Sequence, residues 1–380
     1  MRYLVTLSLL LSACGGEMPD ADAGNPGTDG GGRDGATGLD AGMTGSDASV
    51  DAGMRSDAGP GGDPFVAPAD TWTVVEVDGT ECGNGSVMPV AVNLHPGSDH
   101  VFIFLQGGGA CWDNLTCFVL GSASHIQDTL TEATVLGEAA RLDPFLANRN
   151  PAVGPFPDAN FVYVPYCTGD LHAGTHVTDY GGGRTVHHVG AHNMDRILER
   201  MFATVSGASR VWVGGASAGG YGSILNFWRV RDRWPGVRVD VLDDSGTPVQ
   251  MAMDRYNAAI ASWEPELPAG CTDCAAMGFP AILPYYASSI TSPHRLAILS
   301  YSRDNVISTF FGITLDQFEM RAEAMRQGMT TTSYQRAFIT IGEGHVVLAD
   351  PTLTAPGGLT AAEWTRRFAS DDPLWDDEGP

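Results

Sequence analysis

The sequence predicts an α/β fold in which a largely parallel sheet is flanked by helices. Short apolar runs alternate along the chain with segments whose apolar residues recur at helical spacing. Several of the runs are apolar at every position, as expected for strands that are covered on both faces. Strands that alternate with helices favour a parallel sheet, and ligands of such sheets bind beyond the carboxyl ends of the strands.

The predicted elements follow in chain order. Two early runs alternate like antiparallel strands, and the later runs are the candidates for the parallel sheet. A helix is predicted over residues 192–202, where Met194, Ile197, Leu198 and Met201 share one face. The strands are predicted at residues 74–77, 88–93, 101–105, 161–165, 211–213, 237–242, 296–301 and 337–341.

The strand at residues 211–213 leads into Gly215-Ala-Ser-Ala-Gly219, which fits the G-x-S-x-G nucleophile elbow. A helical pattern follows directly, with apolar residues at Ile224, Leu225 and Trp228. Small neighbours permit the sharp strand-to-helix turn on which the hydroxyl of such a serine is exposed. The pattern therefore predicts Ser217 as a catalytic nucleophile, the alternative being a plain glycine-rich turn.

A nucleophilic serine needs donors for the oxyanion that forms on the substrate. Gly107-Gly108-Gly109 follows the strand at residues 101–105, and a glycine run lets backbone amides approach a substrate oxygen. One donor is expected from this loop and another from Ala218, the residue after the nucleophile.

His345 is the best candidate for the general base among ten histidines. It lies on a glycine-flanked loop after the last predicted strand, and the order serine, acid, histidine fits this kind of enzyme. The orienting carboxylate is predicted to be Asp304, on the loop after residues 296–301. Asp243 and Asp244 are the alternatives, and otherwise they serve in a turn or a cap.

Five histidines cluster between Cys167 and the predicted nucleophile. His172 and His176 are four residues apart, but Ala-Gly-Thr between them argues against a rigid helix, and there is no H-E-x-x-H. A structural role or a place in a pocket wall is the favoured interpretation, so no metal site and no cofactor are predicted. The five are His172, His176, His187, His188 and His192.

Seven cysteines, less Cys14, leave an even number that suggests three disulfides in an exported protein. Six cysteines allow fifteen pairings. Proximity in sequence favours Cys111–Cys117 and Cys271–Cys274, which leaves Cys82–Cys167. Cys271-Thr-Asp-Cys274 also matches a redox C-x-x-C, but the surrounding thioredoxin pattern is missing.

The first residues predict a targeting signal. Residues 3–11 are apolar but too few to span a bilayer, and Leu11-Ser-Ala-Cys14 looks like a bacterial lipobox. We expect a signal peptide over residues 1–13 and lipidation of Cys14, with export to the outer membrane or cell surface; a plain secretory signal is the alternative. Residues 14–68 are rich in Ala, Asp and Gly and predict a disordered linker. The folded domain is then expected over residues 69–380.

The chain is strongly acidic, with a formal net charge of -24, and all 21 basic residues are Arg. Such a charge disfavours nucleic acids and anionic membrane surfaces as partners. Membrane association is therefore expected only through the N-terminal lipid anchor.

Four segments resemble motifs of the pectin acetylesterase family, which also contains the Notum-type carboxylesterases. The resemblance covers most of residues 74–348. The segments are Gly107-Gly-Gly-Ala-Cys111 with Cys117, Val164-Pro-Tyr-Cys-Thr-Gly-Asp170, Gly215-Ala-Ser-Ala-Gly-Gly220 with Arg229-Val-Arg-Asp232, and Leu242-Asp-Asp-Ser-Gly246.

This resemblance implies an α/β-hydrolase fold and a serine esterase without a cofactor. It implies Ser217, Asp304 and His345 as the triad and Gly108, Gly109 and Ala218 as oxyanion donors. It also supports the pairs Cys82–Cys167 and Cys111–Cys117. One position departs from the family, because Ala110 stands where the family has a tryptophan that shapes the pocket.

The predicted function is hydrolysis of O-acyl esters, with an acyl-enzyme intermediate on Ser217. By resemblance, the substrate is an O-acetyl group on a polysaccharide such as pectin. The alternatives are a lipid or protein deacylase or short-chain carboxylesterase, and a non-catalytic surface lipoprotein that binds glycans.

Overall fold

The computed structural model describes residues 62–290 and 293–380. Ten strands lie in this part of the chain: β1 (Thr73–Glu76), β2 (Pro89–Asn93), β3 (His100–Leu105), β4 (Asn160–Val164), β5 (His176–Asp179), β6 (Thr185–His188), β7 (Arg210–Ala216), β8 (Arg238–Asp244), β9 (Leu296–Tyr301) and β10 (Gln335–Thr340). Its α-helices are α1 (Glu132–Ala139), α2 (Gly190–Thr204), α3 (Ala218–Arg233), α4 (Met253–Trp263), α5 (Cys274–Met277), α6 (Ile282–Ser289), α7 (Asn305–Phe311), α8 (Leu315–Met329) and α9 (Ala361–Ala369).

Eight strands form one sheet in the order β1-β2-β4-β3-β7-β8-β9-β10. The pairs β1–β2 and β2–β4 are antiparallel, and every other neighbouring pair in this sheet is parallel. Helices flank the sheet, which confirms the predicted α/β-hydrolase fold. The parallel strands therefore end at a common edge, and the predicted site residues follow β3, β7, β9 and β10 at that edge.

Burial explains why the apolar runs form the centre of the sheet. Every residue of β2 and β4 is buried, and β3, β7, β8 and β9 are buried over most of their length. Helix α3 contacts β3, β7 and β8, and twelve of its sixteen residues are buried. The helix that follows the elbow is thus fixed against the middle of the sheet, which holds its first residue, Ala218, in place.

A second apolar cluster lies apart from the main core and adjoins the elbow. It contains Ala218 and Tyr221 from α3 together with aromatic residues from the loops and helices that follow other strands. Trp112, Trp263 and Phe279 are among its buried members. The carboxyl edge of the sheet is therefore covered by an apolar layer at this point.

The predicted strands and the helix at residues 192–202 occur within a few residues of their expected bounds. The hairpin β5–β6 and the helices α1 and α4 to α9 were not predicted. These additional elements include the segments that cover the carboxyl edge of the sheet, where α4 and α7 supply part of the apolar layer.

Residues 62–68, which precede the domain boundary expected at residue 69, are among the described residues, and Phe65 packs on the domain. Phe65 is buried, its amide donates to Thr204 Oγ1 at 2.7 Å, and the guanidinium of Arg200 lies 4.5 Å from its ring centroid. The last linker residues therefore pack on α2, because an aromatic side chain among polar residues still gains from burial. The signal peptide at 1–13, Cys14 and the linker as far as residue 61 lie outside the described residues.

No helix within residues 62–290 and 293–380 has the length and apolar character needed to cross a membrane.

Candidate active site

Ser217 lies at the turn between β7 and α3 in a backbone conformation that is rare for serine. Its φ is 57° and its ψ is -119°. The amide of Ser217 donates to the backbone oxygen of Asp244 at 2.7 Å, and the Ser217 carbonyl accepts from Tyr221 at 3.1 Å. Strained backbone of this kind persists only where the surroundings hold it, and it is typical of functional sites.

The glycines that flank Ser217 are required by close backbone approaches. A Cβ atom at Gly215 would overlap the backbone of Gly219, and a Cβ at Gly219 would overlap the carbonyl oxygen of Leu105 in β3. The elbow is thus pressed against the end of the neighbouring strand. This contact explains why the motif needs glycine on both sides of the serine.

The structure brings Asp304 and His345 together. His345 Nδ1 lies 2.7 Å from Asp304 Oδ2, and the side chain of Asp304 is fully buried. The other carboxylate oxygen, Oδ1, accepts from the amide of Ile307 at 2.9 Å, because Asp304 is the N-cap of α7. The carboxylate is therefore held on both oxygens.

This pairing assigns the tautomer of His345. A buried carboxylate accepts a hydrogen bond from the N–H at Nδ1, so Nε2 carries the lone pair in the neutral ring. His345 Nε2 is buried and has no hydrogen-bond partner within the described part of the chain. An imidazole in this state is ready to accept a proton from a hydroxyl group.

The alternative acids, Asp243 and Asp244, have other partners. Asp243 Oδ1 accepts from Gly246 N at 2.7 Å. Asp244 accepts from the amides of Val347 and Leu348, each at 2.9 Å, through its two carboxylate oxygens. Burial raises the pKa of Asp244 to about 6 and that of Asp243 well above its usual range. Neither pairs with His345 Nδ1, which is held by Asp304.

The glycine loop after β3 presents unused donors beside the elbow. Gly108 and Gly109 have φ values of 155° and 77°, and a Cβ on Gly107 would contact Ser217 Cβ. Across residues 62–290 and 293–380, no hydrogen bond is donated by the amides of Gly108, Gly109 or Ala218. Gly109 and Ala218 line the same cavity as Ser217, and amides without a partner in the described part of the chain are the kind of donor that an oxyanion requires.

One small apolar cavity reaches Ser217. Its volume is about 30 Å³, enough for a few atoms only. Apart from Ser217 and Gly109, its walls are apolar or aromatic side chains, and Phe310 also touches the position that a Cβ on Gly109 would take. The lining residues besides those three are Ala110, Trp112, Leu171, Ala218, Tyr221, Met251, Trp263, Phe279, Ile307 and Phe311.

Ala110, where tryptophan was expected from the family resemblance, is one of these lining residues and is almost fully buried. The cavity nevertheless stays small. Trp112 and Trp263 pack edge to face with ring centroids 6.3 Å apart, and Phe279 and Phe311 stack at 5.9 Å. These neighbouring rings form much of the cavity wall.

A larger cavity of about 440 Å³ lies on the other side of Trp112 and Phe310, which line both spaces. Its wall is mixed, with Asp113, Asp254 and Arg255 beside apolar residues. The half-buried side chain of Phe310 therefore borders both the small cavity at Ser217 and the larger one.

All three predicted disulfides are present: Cys82–Cys167, Cys111–Cys117 and Cys271–Cys274. The second closes a short loop directly after the glycine run. Trp263 Nε1 donates to the carbonyl of Cys111 at 2.7 Å, which ties that loop to α4. The glycine loop is thus followed in sequence by a segment that a disulfide cross-links.

The histidine cluster is divided among separate partners rather than gathered around one point. His172 Nε2 lies 2.9 Å from the carbonyl of Gln106, His187 Nδ1 lies 2.6 Å from Glu81, and His188 Nδ1 lies 2.7 Å from the carbonyl of Thr168. His176 faces Glu264 at 3.4 Å, and His192 is exposed on α2. His188 also lies near Cys111 and Cys117, but both sulfurs are bonded to each other and offer no thiolate to a metal.

His172 has the structural role that was expected for the histidine cluster, because its Nε2 contacts the carbonyl of Gln106 at the start of the glycine loop. Phe310, which forms a wall of the cavity, was not found from sequence. Phe310 gave no signal, because an aromatic residue next to another one in a short helix indicates core packing.

Comparison with known proteins agrees with this geometry. Residues 70–263 match the family described as Pectinacetylesterase. A palmitoleoyl-protein carboxylesterase NOTUM from Homo sapiens is 26% identical over 178 residues, which are 43% of this chain and 34% of that protein. The NOTUM of Schmidtea mediterranea is 30% identical over 163 residues, 40% of this chain and 28% of that protein.

The chain thus spans about a third of the length of these curated relatives. The family match contains the glycine loop, Ser217 and Ala218, whereas Asp304 and His345 lie beyond its end. Because the match covers half of the chain and includes the elbow with its neighbouring amides, this protein belongs to the pectinacetylesterase family.

Proposed function

We propose that this protein is a serine esterase that hydrolyses O-acyl esters, with Ser217 as nucleophile, His345 as general base and acid, and Asp304 as the orienting carboxylate. The observation that carries this proposal is a serine held at a strained strand-to-helix turn beside three unpaired amides. The Asp304–His345 pair supports it, because the pair leaves Nε2 of the imidazole as the proton acceptor.

The proposed reaction has two halves. Ser217 Oγ attacks the ester carbonyl while His345 Nε2 takes its proton, and the amides of Gly108, Gly109 and Ala218 donate to the oxyanion. His345 then gives the proton to the leaving alcohol, and an acyl-enzyme remains on Ser217. A water molecule, deprotonated by His345, hydrolyses that ester. Each oxyanion donor contributes roughly 3 kcal/mol at the barrier.

The acyl group that the cavity favours is short. A volume of about 30 Å³ with aromatic walls accepts the methyl of an acetyl group. A longer chain requires side chains to move, and that costs free energy in a close-packed interior. We therefore assign acetyl esters as the substrates, with a polysaccharide as the alcohol part by analogy with the family.

A second candidate is a deacylase for longer chains. The curated relatives are named as palmitoleoyl-protein carboxylesterases. The larger cavity of about 440 Å³ favours this candidate, because Trp112 and Phe310 line both it and the cavity at Ser217. Rotation of the Phe310 ring would join the two spaces.

A series of p-nitrophenyl esters from acetate to octanoate distinguishes the two candidates. The proposal predicts that kcat/KM is highest for acetate and falls steeply with chain length, and that Ser217→Ala abolishes all turnover. Phe310→Ala should admit the longer chains, whereas Phe202→Ala, another half-buried phenylalanine that packs on Trp234, should leave the profile unchanged.

Equal rates on acetate and octanoate by the unaltered protein would favour the long-chain deacylase. Activated esters hydrolysed equally slowly by the protein and by Ser217→Ala would instead favour the non-catalytic glycan-binding alternative.

Export and anchoring remain proposals that rest on the sequence and on the disulfides. Three disulfides are typical of proteins outside the cytoplasm. If Cys14 carries the lipid, the protein should fractionate with membranes, and Cys14→Ser should release it in soluble form with its activity intact. A Cys14→Ser protein that stays with the membrane would contradict lipid anchoring.

A further inference from the structure

Asp244 links the predicted nucleophile to the predicted base, although the proposed reaction does not use its side chain. Its backbone oxygen accepts from the amide of Ser217 at 2.7 Å. Its carboxylate accepts from Val347 N and Leu348 N, each at 2.9 Å. Only 3% of Asp244 is exposed. One residue at the end of β8 is therefore bonded both to the elbow and to the segment that follows His345.

The segment that Asp244 holds contains an unusual turn. Val346, directly after His345, has φ 61° and ψ 107°. A β-branched residue rarely adopts positive φ, because its side chain then crowds the backbone. Such a conformation persists only where neighbouring interactions determine it. Within the described residues, the amides of the next two residues both donate to Asp244.

We propose that Asp244 is a positioning residue for His345, whose carboxylate holds the strained turn at Val346 and so fixes the imidazole relative to Ser217. This inference rests on the proposed esterase function. It differs from the role of Asp304, which contacts the imidazole itself. Asp244 instead acts on His345 through the backbone of the segment that follows it. The backbone oxygen of Asp244 also accepts from the amide of Ser217, the residue with which the imidazole must react.

Both oxygens of the carboxylate are needed. Oδ1 accepts from Val347 N at 2.9 Å and from the hydroxyl of Ser245 at 3.0 Å, and Oδ2 accepts from Leu348 N. An asparagine would present an NH₂ group to one of these donors. One bond would be lost and two donors would face each other, so the turn would relax without any change in side-chain size.

Asp243 provides a matched control. It is the neighbouring residue and is also fully buried, but Oδ1 accepts from Gly246 N alone, and Oδ2 has no partner in the described part of the chain. An asparagine there can keep its oxygen toward Gly246. Asp243→Asn therefore makes the same chemical change one residue away without disturbing the segment after His345.

The test is a double-mutant cycle with p-nitrophenyl acetate as substrate. We expect Asp244→Asn to lower kcat at least tenfold with KM nearly unchanged, because a displaced base slows the chemical step without altering the cavity. Val346→Gly alone should stay within about twofold of the unaltered protein, because glycine adopts this φ freely. In the Asp244→Asn protein, Val346→Gly should recover much of the lost kcat, because the turn no longer has to be held.

Unchanged kcat in Asp244→Asn would overturn the inference, and so would a loss that Val346→Gly fails to reduce or that Asp243→Asn reproduces. A purely structural role would lower the unfolding temperature and leave kcat below that temperature unaltered.

If Asp244→Asn does not fold, Ser245→Ala replaces it, because the Ser245 hydroxyl contacts both Asp244 Oδ1 and Val347 N. Ser245→Ala should lower kcat by less than Asp244→Asn, and Val346→Gly should again recover much of the loss. If Ser245→Ala leaves kcat unchanged, that result contradicts the inference. Failure of the esterase proposal is separate, because the unaltered protein and Ser217→Ala would then have equal rates.

Discussion

At the scale of single residues, the contact between Asp304 and His345 decides whether the imidazole can act as a base. Asp304 is fully buried, 2.7 Å from Nδ1, and its second oxygen caps α7. The position of the carboxylate is thus set by a helix start as well as by the histidine. An amide in its place would favour the wrong tautomer of the ring.

Asp304→Asn is therefore expected to lower kcat by about 10⁴-fold, the size seen for this change in serine proteases. The fold should persist, because an asparagine oxygen still caps α7. Steady-state kinetics with p-nitrophenyl acetate measures the effect. Glu343→Gln is the control, since this exposed carboxylate lies two residues before His345 and pairs with Arg303. Similar losses in both variants would remove Asp304 from the proposed triad.

Sequence could predict the residues of the candidate site that stand at the ends of recognisable strands. Ser217, Asp304 and His345 each follow an apolar run, and chain order then gave each a role. Phe310 and the contact of Asp244 with Val347 could not be predicted, because they depend on how separate loops meet in space. From sequence, Asp244 was considered only as a triad acid or as a turn or cap residue. In the structure its carboxylate accepts from backbone amides of the segment that follows His345.

At the scale of elements, the strands could be predicted and the hairpin β5–β6 could not. The centre of the sheet is buried on both faces, so its strands are apolar at nearly every position. Residues 176–179 and 185–188 are short and largely polar, and their histidines suggested a cluster instead of a strand. Helix α8 buries Phe318, Ala322 and Met329 along fifteen residues, so its apolar stripe is sparse and periodicity gave no clear signal there.

The hairpin is held by His188, whose neutral ring has two partners. Nδ1 lies 2.7 Å from the carbonyl of Thr168, and Nε2 lies 2.7 Å from the hydroxyl of Tyr180. Burial lowers the pKa of His188 to about 4. The folded protein therefore binds fewer protons here than the unfolded chain between pH 4 and 6.5, and stability falls as pH falls through that range.

This linkage predicts a loss of about 3 kcal/mol in the free energy of unfolding between pH 7 and pH 4 from His188 alone. Other buried groups titrate too, so the measurement is the difference between the unaltered protein and His188→Gln in urea unfolding at each pH. The stability advantage of histidine should shrink as the pH falls. His192→Gln, at an exposed position on α2, serves as the control. A difference that stays constant from pH 7 to pH 4 would contradict this account.

The disulfide Cys82–Cys167 joins residues 85 apart, far more than the other two bridges. On the loop-entropy account it stabilises the fold by about 4 to 5 kcal/mol, against about 2 kcal/mol for Cys111–Cys117. Replacing both cysteines of the long bridge by serine should therefore lower the unfolding temperature more than the same change in the short bridge. Calorimetry compares the unfolding temperatures of the two variants. Equal temperatures or the reverse order would show that the entropy of the unfolded chain does not dominate the stabilisation by these disulfides.

At the scale of the whole molecule, charge bears on the proposal that the substrate is an acetylated polysaccharide. In residues 62–380, acidic side chains outnumber Arg two to one, and no Lys occurs. A polyuronate such as pectin is itself a polyanion, so it is repelled at low ionic strength, whereas a neutral polymer is not.

Raising the salt concentration from about 0.02 M to about 0.2 M should therefore increase kcat/KM on acetylated pectin, because salt screens the repulsion. On acetylated xylan, which is far less charged, the rate should change little. Release of acetate measures both reactions. A fall in the rate on pectin with added salt would indicate a local basic surface that recognises the uronate chain, against the overall charge.

The central claim is that Ser217 is a nucleophile activated by His345, and covalent labelling with a fluorophosphonate tests it most directly. Intact mass spectrometry should show one adduct per chain, and peptide mapping should place it on Ser217. Ser217→Ala should remain unlabelled, and His345→Ala should label far more slowly. An adduct on another residue, or none on a folded protein, would contradict the proposed mechanism.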